Sequence, residues 1–86
     1  MKIIKYQLVK AATSIGANYE EAQAGSSKAN FINKVDISLK EARESNYWLR
    51  LIEALEKESF ELTVIINESK EIKNILGAIV KNARNN

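Results

Sequence analysis

The sequence predicts an all-α chain, three amphipathic helices packed as an antiparallel up-and-down bundle in a single domain over residues 1–86. Three observations predict it. Apolar residues recur at spacings of three and four through long windows, which places them on one helical face. There is no proline and there are only three glycines, so little interrupts those windows. The one clear break, Gly25-Ser26-Ser27, is a loop so short that the helices on either side must run antiparallel.

Helix one is predicted from about Ile3 to Ala24. Ile4, Leu8, Ala11, Ile15, Asn18 and Ala22 repeat as a heptad-like seam, beside a small and polar strip of Gln7, Ser14, Ala17 and Glu21. Gly16 costs about 1 kcal/mol relative to Ala inside a helix, and it reads either as a tolerated surface glycine or as the site of a close helix crossing. Gly25 is expected to take the left-handed conformation just past the helix end, with Ser26 or Ser27 capping the second helix.

Helix two, from Ser26 to Lys57, is the element the chain is organised around. It spans about 45 Å at 1.5 Å per residue and carries two apolar stripes. Phe31, Val35, Leu39, Ala42 and Leu49 fall on one side, with Ile32 and Asn46 at its edge. Ile37, Trp48, Leu51 and Leu55 fall roughly opposite and form a candidate oligomer interface, because a helix apolar on two sides must be covered on two sides. The alternative is that helix three covers that second stripe. Helix three is predicted from about Phe60 to Asn82 with Ser59 as N-cap, although a helix continuous through Ser59 is the competing reading. Its seam is Leu62, Ile65, Ser69, Ile72, Leu76, Ile79 and Ala83, widened by Ile66, Ile75 and Val80, and the tail from Asn82 to Asn86 is expected to fray.

Composition narrows the function classes. With no cysteine there is no disulfide or thiolate site, and with no histidine the commonest metal ligand and general base are missing. No cofactor, metal site, small-molecule substrate or catalytic residue is therefore expected. The net charge of +2 is too small for a whole-molecule basic field. Apolar runs are too short to span a bilayer, and Lys5 and Lys10 break any signal-peptide core, so no membrane partner and a cytoplasmic location are expected.

One segment, Ala12-Thr13-Ser14-Ile15-Gly16-Ala17-Asn18-Tyr19-Glu20-Glu21-Ala22, resembles the signature helix of the four-helix-bundle proteins encoded in intervening sequences of bacterial 23S rRNA genes. Phe31-Ile32-Asn33-Lys34-Val35, Ser38-Leu39-Lys40-Glu41-Ala42-Arg43-Glu44 and Tyr47-Trp48-Leu49 are similar to its next helix, and Leu76 to Val80 to its closing apolar helix. The resemblance implies an up-and-down bundle that assembles into a homo-oligomer, a pentamer in the family, with a poorly defined role. A related branch, the accessory proteins of diversity-generating retroelements, implies a reverse transcriptase and nucleic acid as partners. The family has a further helix before its signature, so the resemblance implies either a start upstream of Met1 or a three-helix variant of the four-helix fold.

Two constellations stand out. Lys40, Arg43, Tyr47 and Arg50 share one flank of helix two and are the candidate nucleic-acid-binding residues, since arginines fork onto phosphates and a tyrosine ring stacks on an unpaired base. The plainer reading is a solvated flank paired with Asp36, Glu44 or Glu53. Ser14, Asn18 and Glu21 are expected to meet Glu41 and Glu44 in a buried polar network; a catalytic carboxylate pair or a metal site is the sharper but weaker alternative. The combined expectation is a non-enzymatic, homo-oligomeric bundle whose surface scaffolds or binds RNA or an RNA-handling protein. The alternative is a protein-interaction subunit without nucleic-acid affinity, whose groove accepts a helix from another chain.

Overall fold

The computed structural model describes residues 1–25, 27–56 and 59–85. They form three α-helices, α1 (Lys2–Ala24), α2 (Lys28–Leu55) and α3 (Phe60–Asn85). The predicted ends of helix two at Ser26 and Lys57, and Ser26 as a cap, lie outside the described residues. Ser27 does cap α2, its hydroxyl accepting from the Asn30 amide at 3.1 Å, and Ser59 caps α3 in the same way through the Leu62 amide at 3.1 Å. Extended backbone at Glu56 (φ −112°, ψ 168°) ends α2, which rules out a helix continuous through Ser59.

Two local expectations are corrected. Gly25 is not left-handed: its φ of −67° and ψ of 154° are extended. A Cβ there would meet the end of the Asn30 side chain, which can swing aside, so nothing in the backbone at this position requires glycine. The α3 tail does not fray at Asn82 but continues to Asn85. Val80 is buried one turn earlier, and Arg84 reaches the α2 carboxylate of Asp36 at 3.5 Å, which ties down the last turn.

Antiparallel packing is visible in the cross-helix pairs. Lys5 meets Glu56, and Ser38 Oγ donates to the Ile15 carbonyl at 2.7 Å; on the other side Asn46 meets Ser69 while Asp36 meets Arg84. Both outer helices pack on α2, but among the described residues α1 and α3 nowhere approach within 8 Å, Cα to Cα. The Cα trace measures 45 × 22 × 14 Å, a slab with α2 along its middle.

The seam between α1 and α2 is close because its buried α1 residues, Ala11 and Ala22, are small enough for an α2 hydroxyl to reach the α1 backbone. The core joins Ala22, Val35, Leu39, Ala42, Leu76 and Val80, with Ile15, Tyr19, Phe31 and Ile79 half-buried against it. It is small for a chain of this length, which by area scaling buries only about 60–65% of its unfolded surface. The predicted first stripe of α2 is therefore correct in Val35, Leu39, Ala42 and Leu49, and the buried face also takes in Ser38, Ser45 and Ile52.

Candidate nucleic-acid and assembly surfaces

Helical spacing puts Lys40, Arg43, Tyr47 and Arg50 on one exposed flank of α2. Lys40 lies 4.0 Å from Asp36, one turn earlier, and Arg84 of α3 shares that carboxylate, so one end of the flank is an ion cluster with two cations on one acid. Arg50 is held by its own turn, Nε donating to Asn46 Oδ1 at 2.9 Å. Tyr47 is half exposed and meets Trp48 edge to face, ring centroids 5.1 Å apart. Tyr47, Arg50, Leu51 and Ala54 frame a shallow dent of about 210 Å³, the kind of surface on which a base can stack beside a guanidinium.

The second apolar stripe of α2 is not sealed by α3. Asn46, which bonds to Ser69 of α3, sits two positions from Trp48 and hence nearly across the helix from it. Ile37, Trp48 and Leu51 are half-buried and Leu55 is 60% exposed. The Trp48 indole donates to Glu44 Oε1 at 3.1 Å, which fixes the ring against its own helix.

The expected buried network does not form. Ser14 donates to the Lys10 carbonyl and Asn18 to the Ser14 carbonyl, both within α1, while Glu21 is exposed. Polar side chains at spacings of four find partners one turn back, nearer than any on the next helix. Of that set, Glu41 and Glu44 alone come together, beside Gln7, Lys10 and Ala11 in a pocket of about 110 Å³. Partial burial pushes the Glu41 carboxyl above its ordinary range, Glu44 adds to the shift by charge repulsion, and Lys10 opposes it. The polar links that do join helices are Ser38 to Ile15 and the chain Arg50–Asn46–Ser69, in which Asn46 Nδ2 donates to Ser69 Oγ at 2.8 Å. Among the described residues no cluster of three acidic side chains is placed to hold a metal ion, and no helix is long and apolar enough to cross a membrane.

A larger apolar hollow, of about 450 Å³, lies elsewhere. Because the Cα atoms of α1 and α3 stay more than 8 Å apart among the described residues, the two helices form the walls of a trough whose floor is lined by Ala42, Ser45 and Leu49 of α2. Leu8, Val9, Ile15 and Tyr19 project from α1, and Ile65, Ile72, Ile75 and Ile79 from α3. Gly16 faces this open space, where a Cβ would meet nothing within 4 Å, so it marks no close crossing within the chain.

A family model described as 23S rRNA-intervening sequence protein matches residues 2–78. The chain belongs to that family. A solved structure similar to it is a protein of unknown function from the S23 ribosomal protein family of Bacteroides thetaiotaomicron VPI-5482, 44% identical, with a TM-score of 0.84. The match covers 92% of this chain and 74% of the Bacteroides chain. No curated protein matches. The family match contains the whole signature segment of α1, the whole of α2 and its flank, and α3 as far as Ala78. Periodicity misses three features of this family member: Arg84 beside the basic flank, the Asn46–Ser69 link, and the trough. The first two depend on which helix faces which; the four-residue spacing of Asn46 and Arg50 is the one signal the sequence holds for them.

Proposed function

We propose that this 23S rRNA-intervening sequence protein is a non-enzymatic assembly module. Copies associate through the outer stripe of α2, a ring such as a pentamer being the form the family suggests, and the assembled surface presents RNA with repeats of the Lys40, Arg43, Tyr47 and Arg50 flank. The observation that supports the reading is the stripe itself: Ile37, Trp48, Leu51 and Leu55 form a line on α2 in which the first three are only partly covered and Leu55 is exposed. Full burial of an exposed large side chain gains about 1.5–3 kcal/mol, of which Leu55 has most still to gain and its half-buried neighbours a fraction. The basic flank adjoins that stripe at Tyr47 and Leu51, so contacts too weak singly would add by avidity around a ring.

Sedimentation velocity at micromolar concentration tests the assembly. An oligomer that Trp48→Ala with Leu51→Glu reduces to a folded monomer supports it; a wild-type monomer with a cooperative melt rejects it. RNA binding by the oligomer is expected to weaken with salt and with Arg43→Glu plus Arg50→Glu. Binding that those changes leave intact would place the RNA site elsewhere.

A further inference from the structure

We infer that the dent on α2 beside Tyr47 takes one unpaired nucleotide, its base on the Tyr47 ring and its phosphate on the Nη groups of Arg50. The inference rests on the proposed RNA-binding role of this flank and narrows it to single-stranded RNA. Tyr47, Arg50, Leu51 and Ala54 line the hollow, about 210 Å³. Tyr47 and Arg50 are three positions apart on one helix, which sets their Cβ atoms about 5–6 Å from one another. One nucleotide bridges that gap, base to its own phosphate.

Arg50 differs from the cation at the other end of the flank. Lys40 shares the Asp36 carboxylate with Arg84, which offsets its charge. Arg50 forms no ion pair among the described residues and is held instead by a neutral amide, Nε donating to Asn46 Oδ1 at 2.9 Å. Two neighbours fix which way that amide faces. Ser69 spends its one hydroxyl hydrogen on the Ile66 carbonyl at 2.8 Å, so its oxygen can only accept from Asn46 Nδ2, also at 2.8 Å. Arg50 can only donate, so it too requires Asn46 Oδ1. The relay therefore runs one way, from Arg50 through the 7% exposed Asn46 and then Ser69 to the α3 backbone. It leaves Arg50 with its charge intact and with both Nη groups unbonded among the described residues, as a phosphate requires.

Tyr47 supplies the platform. It is 50% exposed, and Trp48 meets it edge to face with the rings 70° apart, so Trp48 takes at most one face of the phenol. Trp48 is itself tied to Glu44 Oε1 at 3.1 Å. Both contact groups are thus held in place before a ligand arrives, which lowers the entropy cost of binding. Inside a duplex the faces of a base are covered by its neighbours, so only an unpaired base can lie on Tyr47. An acidic peptide would satisfy Arg50 and leave the ring unused.

The test titrates the full chain with a labelled oligouridylate and, separately, with the duplex it forms with oligoadenylate, reading anisotropy and the emission of Trp48. The single strand is expected to bind about tenfold tighter than the duplex and to quench Trp48. Tyr47→Ala is expected to weaken single-strand binding at least about fivefold without changing its salt slope, and Tyr47→Phe to hold it within about twofold. Arg50→Gln is expected to weaken binding and flatten the salt slope by about 0.7. Asn46→Asp keeps its hold on Arg50 but cancels the charge, so it is expected to flatten the slope in the same way. Tyr47 and Arg50 are exposed, so their variants are expected to melt as the wild type does. Equal affinity for the two RNAs, or single-strand binding that Tyr47→Ala leaves unchanged, would overturn this inference alone; the RNA role itself then answers to Arg43→Glu plus Arg50→Glu. No binding of either RNA would overturn both.

Discussion

The trough and the Trp48 stripe are both apolar and neither is fully covered, yet they differ in curvature. Three helices shape the trough, with a floor from α2 and walls from its neighbours, and it is concave. The stripe is the outer side of one helix, and it is convex. A convex ridge can lie against its own copy or against a neighbour in a ring. A concave channel accepts something convex and narrow. The same shortage of buried area therefore leaves two apolar surfaces of opposite curvature, and the floor of the first and the ridge of the second are faces of the same helix.

The contrast can be broken most directly by comparing the core with the trough wall. Leu39→Ala, at a site 5% exposed, is expected to lose about 2–5 kcal/mol in urea unfolding. Ile72→Ala, 45% exposed on the wall, is expected to lose about 1 kcal/mol or less. Equal losses would mean that the trough is already filled in solution. Next in size, Asn46→Ala removes two hydrogen bonds, while Ser69 keeps its bond to the Ile66 carbonyl and Arg50 turns to water, and is expected to lose about 1–2 kcal/mol. A smaller effect separates two buried serines. Ser38→Ala removes a 2.7 Å bond to α1 and is expected to lose about 1 kcal/mol, whereas Ser45→Ala removes an unpaired hydroxyl and is expected to be neutral or slightly stabilising. A clear loss at Ser45 would show that its hydroxyl is already satisfied.

The smallest expected effect is a pH dependence at the edge of the α1–α2 seam. The folded state raises the Glu41 carboxyl above its ordinary value of 4.5, so the folded chain holds that proton more tightly than the unfolded chain does. Stability from this group is then greatest below 4.5 and is lost as pH rises through the raised value. Thermal melts across that range, with Glu41→Gln removing the dependence, check the sign.

Periodicity encodes which residues share a face, and that much of the fold is legible in the sequence. Val35, Leu39, Ala42 and Leu49 stand out as one face because they recur at helical spacing, and Gly25-Ser26-Ser27 stands out as the break before α2. The neighbour that each face meets is not legible. Leu8 and Ile15 read as part of one heptad-like seam, but they open into the trough, while the buried residues of α1 are Ala11 and Ala22 and the hydroxyl of Ser38 on α2 reaches the α1 backbone. Serines 38 and 45 score as polar surface residues, and only the closeness of the helices buries them. The basic flank lies on α2 as its spacing predicts, but Arg84 joins it from another element, a relation that no spacing within helix two contains. Glu41 and Glu44 do pair. Ser14, Asn18 and Glu21 do not join them, because a carbonyl one turn back satisfies the first two at no cost in loop closure.

The separation of α1 from α3 also shapes how the chain acquires its structure. Among the described residues every helix–helix interface joins elements consecutive in sequence, so contact order is low and each hairpin can form on its own over α2, as neighbouring units do in a solenoid. Hydrogen exchange should then show α2 as the slowest-opening segment, with the two outer helices peeling away independently, one hairpin surviving while the other opens.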